Sequence, residues 1–413
     1  MGLSKPRDNP FTELCPTLGI LDSMMHEPEV AWMALEQENA AAFPIVRRLP
    51  RNERHTASWK DFQLGHPEAE DFIRRWQADP QTLTPYCLDR RSRSLLFVET
   101  PPGVDLCTAH PFFYQAQRLS AVRLHSVPIP VVLAMAQDLP QALDRLILIH
   151  STGRCGSTLL TRLLQAQGDM VTISEPDLYT QLAHLPEQAT LELAPLIRAA
   201  TLFLWASLGK GGPVALKLRG IATYRAAALA QALPGARSLF LYRHAGDVVN
   251  SFISTMVPPG LFRLGRALGV ERLPTRWLLP TAHALHLAPL LAEKRYHPTG
   301  LVGFFTMAWL SKMDSALAFQ EHVGFAATLR YEALRRDPKT MLEKLTKVLG
   351  LEVNGGQASL DQVLGVDAQQ GSSMASRGMN LLDRDDTARM NRLLAQHPRL
   401  NRPDVVLPGS LEP

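Results

Sequence analysis

The sequence predicts an α/β protein: a parallel sheet flanked by helices, preceded by an N-terminal α+β accessory module. Three observations lead there. Strand-like and helix-like stretches alternate from Arg145 onward, the pattern of a parallel sheet with helical crossovers. An apolar run, Leu146-Ile147-Leu148-Ile149, enters a small-residue turn, His150-Ser151-Thr152-Gly153-Arg154-Cys155-Gly156-Ser157-Thr158, and a helical run with Leu159, Leu160, Leu163 and Leu164 leaves it. Residues 1–140 lack that alternation and scatter Pro, Arg and Trp among short mixed elements.

In chain order, the N-terminal module offers a helix over Glu27–Ala42 and a short helix over Pro67–Gln77. Strands are predicted over Leu95–Val98, Ala121–Leu124 and Ile129–Ala134, broken by Pro101-Pro102-Gly103 and by Pro128 and Pro130. The cluster Arg90-Arg91-Ser92-Arg93 reads as a solvated turn, and nothing in this module carries an identifiable site. Residues 141–413 then form a P-loop-like domain. Its strands are Arg145–His150, Met170–Ser174, Val214–Leu218, Ser238–Tyr242 and Ala327–Tyr331, with helices such as Thr223–Leu233 and Asp247–Met256 between them. Residues 257–298, rich in Pro and Leu, interrupt the alternation. They read as an insertion over one face of the sheet, either an acceptor lid or a helical layer that completes the core. Helices resume over Phe304–Leu317 and Pro338–Leu349, the second with Pro338 near its first turn and Gly350 at its end.

The 413 residues suffice for one large domain or two ordinary ones, and 46% apolar against 20% charged supports a packed core. A formal charge of +4 suits a small anionic ligand and is too weak to argue for nucleic acid. Cys15, Cys87, Cys107 and Cys155 show no CxxC spacing, so neither a zinc site nor a disulfide framework is indicated. A reducing, cytoplasmic setting is expected. The N-terminus has no apolar signal run, and no stretch reaches eighteen uninterrupted apolar residues, so no transmembrane helix is expected.

Ligands of parallel sheets bind beyond the carboxyl ends of the strands, and four candidate features fall there. The first is the opening loop. Its turn and helix N-terminus can cradle an anion, and Arg154, Ser157 and Thr158 add polar groups. It is not a Walker A loop: Ser157, not Lys, follows Gly156, and the positive charge sits earlier, at Arg154. The second is Ser174-Glu175-Pro176-Asp177, where Glu175 reads either as a general base or as a helix cap or charge partner. The third is Lys217, which interrupts an apolar run and either neutralises charge on a transferring group or snorkels from a strand edge. The fourth pairs Arg243, at a strand end, with Ser251 in the following helix; the two can converge on a second anion. Two anion sites at neighbouring strand ends suggest a nucleotide with two separate charged groups.

Together these residues resemble the sulfotransferases that use 3′-phosphoadenosine 5′-phosphosulfate (PAPS). Gly153, Arg154, Cys155, Gly156, Ser157 and Thr158 resemble that family's 5′-phosphosulfate loop, and Arg243 with Ser251, eight residues on, resembles its 3′-phosphate pair. Tyr331-Glu332-Ala333-Leu334 resembles its downstream Tyr-Glu-x-Leu element. Glu175 lies 21 residues past Arg154 and Lys217 lies 26 before Arg243, offsets similar to those of the tyrosylprotein and Golgi-type branch; bacterial sulfotransferases are also similar in pattern. The cytosolic branch's Lys-x-His base is replaced by Lys217-Leu218-Arg219.

The resemblance implies PAPS as co-substrate, no metal, and Glu175, Lys217 and Arg154 as catalytic residues. It also implies nucleotide contacts from Gly153–Thr158, Arg243, Ser251 and Tyr331. The acceptor is a small molecule, carbohydrate, lipid or peptide, and oligomeric state stays open. Cys155 departs from the usual Ser, and Gly371–Gly378 is only a loose substitute for the family's closing segment. A P-loop kinase or NTPase, and a non-catalytic nucleotide-binding protein of the same fold, are the alternatives.

Overall fold

The computed structural model describes residues 40–51, 56–69, 71–141, 143–167, 170–185, 187–209, 211–275, 287–351, 362–365 and 379–413. Most of the helix expected over Glu27–Ala42, and all of Gly371–Gly378, lie outside the described residues. The chain divides into two compact units. Of the described residues, the larger holds those from 40 to 244, 312 to 365 and 406 to 413; the smaller holds those from 245 to 311 and 379 to 405.

The larger unit contains two six-stranded sheets. The first is antiparallel and comprises β1 (Ala41–Arg48), β2 (Phe62–Leu64), β3 (Glu68–Ala69), β4 (Leu83–Asp89), β5 (Ser94–Glu99) and β6 (Arg123–Pro128). Its order is β2-β1-β6-β5-β4, with β3 also on β1. The second comprises β7 (Leu146–Ser151), β8 (Val171–Ser174), β9 (Val214–Lys217), β10 (Arg237–Tyr242), β11 (Ala327–Arg330) and β12 (Ser410–Leu411). Every pairing in it is parallel, in the order β12-β11-β10-β7-β9-β8. All residues of β7 and β9 are buried, which is why they read as continuous apolar runs rather than as alternation.

The chain leaves β7 for β8 and β9 on one side, then returns to its other side for β10 and β11. β7 is therefore the switch point of the sheet, the place where such folds leave a crevice for ligand. Register levels the strand ends around it: Lys217 sits beside Ile149 of β7 and Ser174 of β8, and Leu241 of β10 beside Ser151.

The five strands expected after residue 141 all form, within a residue or two of their predicted limits. Ile129–Ala134 does not form a strand; Ile129–Gln137 is a helix. Pro130 occupies its first turn, where a fixed φ favours a helix and the missing N–H costs nothing, and Val132 and Ala136 bury one face. The short helix expected over Pro67–Gln77 is Phe72–Ala78, capped by the Asp71 side chain, which accepts from Arg74 N–H at 3.1 Å. One continuous core joins residues 40–136 to 143–233: the Trp76 ring stands edge-on to Phe203 at 4.6 Å, and Phe97 to the same ring at 5.2 Å.

The smaller unit is helical over Ala245–Met256, Pro259–Ala267, Ala288–Ala292 and Arg384–Leu394. Arg266 ties two of these helices together through Asp383 (2.9 Å) and Asp386 (2.6 Å). Buried Glu271 accepts from the backbone N–H groups of Leu301 (3.1 Å) and Val302 (3.2 Å). Among the described residues no helix is long and apolar enough to cross a membrane.

Candidate active site

The loop after β7 is shaped by backbone conformation. Gly153 (φ 75°), Arg154 (φ 54°) and Gly156 (φ 82°) all lie in the left-handed region before the helix Ser157–Gln167 begins. Its start is pinned to the segment after β9: the Thr223 hydroxyl donates to Ser151 O at 3.0 Å, and Gly153 N–H donates to Ser151 Oγ at 3.2 Å. Gly156 is packed so closely that a Cβ there would stand 2.4 Å from the Tyr331 ring. Cys155 turns inward, fully buried, and its thiol donates to Leu241 O of β10 at 3.3 Å. Its side chain thus anchors the loop, and burial pushes the thiol's pKa up.

At the end of β8, Glu175 also has a positive φ, 59°. Its N–H donates to Lys217 O at 2.7 Å, extending the β8–β9 ladder by one rung before the chain turns away. Among the described residues only Arg93, Arg154 and Glu175 are non-glycine with positive φ, so two of the three fall in this site. A bulky residue adopts that conformation only where its surroundings enforce it, and such positions concentrate at functional sites.

Lys217 is 1% exposed and joins three of the sequence candidates. Its Nζ lies 2.7 Å from Glu175 Oε1, and donates to Thr158 Oγ1 at 3.0 Å and Ser174 Oγ at 3.1 Å. It also sits over the Phe112 ring, 5.4 Å from the centroid. Lys217 is therefore no edge residue that snorkels to water. Glu175 Oε2 meets Arg219 Nε at 3.3 Å. Burial alone would raise the Glu175 pKa, but Lys217, Arg219 and the charge of Arg154 outweigh it and hold the carboxyl below its ordinary value. Glu175 is ionised at neutral pH.

Tyr331 opens the helix Tyr331–Arg336 after β11, and the Arg243 guanidinium lies 4.6 Å above its ring. One aromatic ring thus backs both the loop, at Gly156, and Arg243. His244 N–H donates to Glu332 Oε1 at 2.9 Å, fixing the chain just after Arg243. Ser251 belongs to the smaller unit, in the helix Ala245–Met256, where its carbonyl accepts from the Thr255 hydroxyl at 2.7 Å.

Three participants had no signal in the sequence. Arg51, Phe112 and Tyr114 come from the N-terminal residues and reach the surroundings of Glu175 and Lys217 only through the fold. Asp177 and Arg219 stood beside recognised candidates, but their ion pair, at 3.0 Å, is not a local pattern. Among the described residues no group of three or more His, Cys, Asp or Glu is placed to hold a metal ion.

No family model and no curated protein matches the chain. Among solved structures it is similar to the sulfotransferase STF9 from Mycobacterium avium, at 14% identity over 67% of this chain and 82% of that one, with a TM-score of 0.39. It is similar to the sulfotransferase domain from the curacin biosynthetic pathway at 16% identity, over 60% of this chain and 96% of that one, with a TM-score of 0.34. It is also similar to mouse sulfotransferase SULT7A1, a structure complexed with PAP, at 13% identity over 64% and 88%, with a TM-score of 0.33.

Proposed function

We propose that the chain is a sulfotransferase that moves a sulfuryl group from PAPS to an acceptor hydroxyl or amine, without a metal. One observation carries the reading: the buried Lys217 ammonium bridges Glu175 and Thr158. It joins a base candidate to a P-loop-like turn that lacks the Walker lysine. The donor set fits a doubly anionic nucleotide, with Arg154, Lys217 and the hydroxyls of Ser157 and Thr158 around a left-handed loop.

PAPS supplies an activated sulfuryl group, which leaves adenosine 3′,5′-bisphosphate behind on transfer. Gly153–Thr158 would hold the 5′-phosphosulfate through backbone N–H groups and Arg154. Arg243 and Ser251 would hold the 3′-phosphate, with Tyr331 as a fixed platform beneath Arg243. Glu175, ionised, takes the acceptor's proton. Lys217 transfers its attraction from Glu175 to the charge that develops as the bond breaks. Residues 141–413 carry this chemistry in the proposal, with residues 1–140 as an accessory module and about 257–298 as an insertion. The acceptor is a small molecule, carbohydrate, lipid or peptide. The cytoplasmic setting rests on the cysteine pattern.

The test is transfer of label from PAPS to a panel of acceptor classes. Glu175→Gln should lower turnover by about 10²–10⁴-fold while nucleotide binding persists. Turnover that survives the substitution would place the base elsewhere.

A further inference from the structure

Glu175 has two cations, and they differ in what else they touch. Lys217 is shared with the loop, through Thr158. Arg219 also reaches residues outside the loop. Its Nη2 meets Asp177 Oδ1 at 3.0 Å, and its guanidinium lies 4.4 Å over the Tyr114 ring. Asp177 is 1% exposed and is held in turn. Its Oδ2 accepts from Arg51 Nη2 at 2.7 Å and from Ala57 N–H at 2.8 Å. Arg51 lies 4.9 Å from the same Tyr114 ring and also donates to Asp61 at 3.2 Å. Asp61 takes the Tyr86 hydroxyl at 2.5 Å and Ser58 N–H at 3.0 Å.

The charges therefore alternate along one string, buried at Lys217, Asp177 and Asp61 and half-buried at Glu175 and Arg219: Lys217, Glu175, Arg219, Asp177, Arg51, Asp61. Every interior member has an opposite charge on both sides. The string matters because Lys217 has a second task in the proposed reaction. As it turns toward the transferring group, Glu175 loses its nearer partner. A buried carboxylate without a partner takes up a proton or moves toward water. Arg219 remains, and Asp177 and Tyr114 hold its guanidinium in place.

We propose that Arg219 is a positioning residue for Glu175, clamped by Asp177 and Tyr114 and braced through Arg51 and Asp61, so that the base stays ionised and aimed while Lys217 is engaged elsewhere. This rests on Glu175 acting as the base, and it gives residues 51–114 a task in the site. The groups bearing on Glu175 are Lys217 at the end of β9, Arg219 two residues past it, Arg154 in the loop, and Tyr114 behind Arg219.

The experiment uses the full chain with glutamate carrying ¹³C at the side-chain carboxyl, the Glu175 signal being assigned with Glu175→Gln. In Arg219→Gln the Glu175 titration should rise by about 1–3 pH units. The acid limb of the kcat profile should move with it. At neutral pH kcat should fall about 10- to 100-fold, while KM for PAPS stays close to that of the unaltered protein. Arg219→Lys, which keeps one positive charge, should recover part of the loss. If Arg219→Gln does not fold, Arg219→Gln with Asp177→Asn deletes an opposite-charge pair together and carries the same expectation. An unmoved Glu175 titration overturns the inference even if PAPS is a good substrate. A moved titration in a protein that transfers nothing from PAPS sustains the positioning role and overturns the proposed function instead.

Discussion

Gly156 shows how much of the site is decided atom by atom. Its φ of 82° is open to glycine and strained for alanine, and the Tyr331 ring occupies the space a Cβ would need. Gly156→Ala should cost about 1–3 kcal/mol of stability from backbone strain alone, and it should push Tyr331 away from both the loop and Arg243. Denaturant melts and titration with adenosine 3′,5′-bisphosphate check this. A folded variant with unchanged stability and unchanged affinity would show that the close approach has no function. Lys217 stands out in the sequence because it interrupts an apolar run, Glu175 because it ends a predicted strand, and Arg154 because it is the one charge in a small-residue loop. Arg51 does not: its partner Asp177 is 126 residues away, and no local pattern marks an arginine that will be buried between two carboxylates.

At the scale of elements, the parallel strands were legible because strands covered on both faces are uninterrupted apolar runs. Ile129–Gln137 was misread for a related reason. A short run with Ile and Val satisfies a strand pattern as well as a helical one, and only Pro130, read as a breaker rather than a first-turn residue, could have decided between them. Strand β7 also carries a group that senses pH. His150 is fully buried, with its ring 5.9 Å from that of Phe325 and 6.4 Å from that of Phe319, and no hydrogen-bond partner for either nitrogen. Burial lowers its pKa from 6.5 to about 3. The unfolded chain therefore binds a proton that the folded one refuses, and stability falls as pH drops below about 6.5. Glu99, held down to about 2 by His125 first and then Arg75, adds its own loss only below its ordinary value near 4.5. Between those limits, His150→Leu should flatten the decline in unfolding free energy by about 1.4 kcal/mol per pH unit. Parallel curves for the two proteins would contradict the assignment.

At the scale of the whole molecule, the sequence marks residues 1–140 as a separate module; residues 41–128 carry an antiparallel sheet, but they belong to the same compact unit as the parallel sheet. What local patterns could not show is that Phe72, Trp76 and Phe97 pack with Phe203 in a core common to both sheets, because such contacts depend on tertiary packing rather than on periodicity. From the same N-terminal residues, Arg51 pairs with Asp177 and Tyr114 lies under Arg219, beside the residues around Glu175. The alternation after Arg145 was enough to place the loop at the carboxyl end of a strand in a parallel sheet, but not to show that this strand is the switch point, which depends on the strand order.

The most direct test of the central claim is isothermal titration of the full chain with PAPS and, separately, with ATP plus Mg²⁺. PAPS should bind saturably. Arg243→Ala should weaken binding of 3′-phosphorylated nucleotides by about 10-fold or more, the loss of a charge-assisted contact, and of their dephospho analogues far less. Tight binding of ATP with no response to PAPS would contradict the claim.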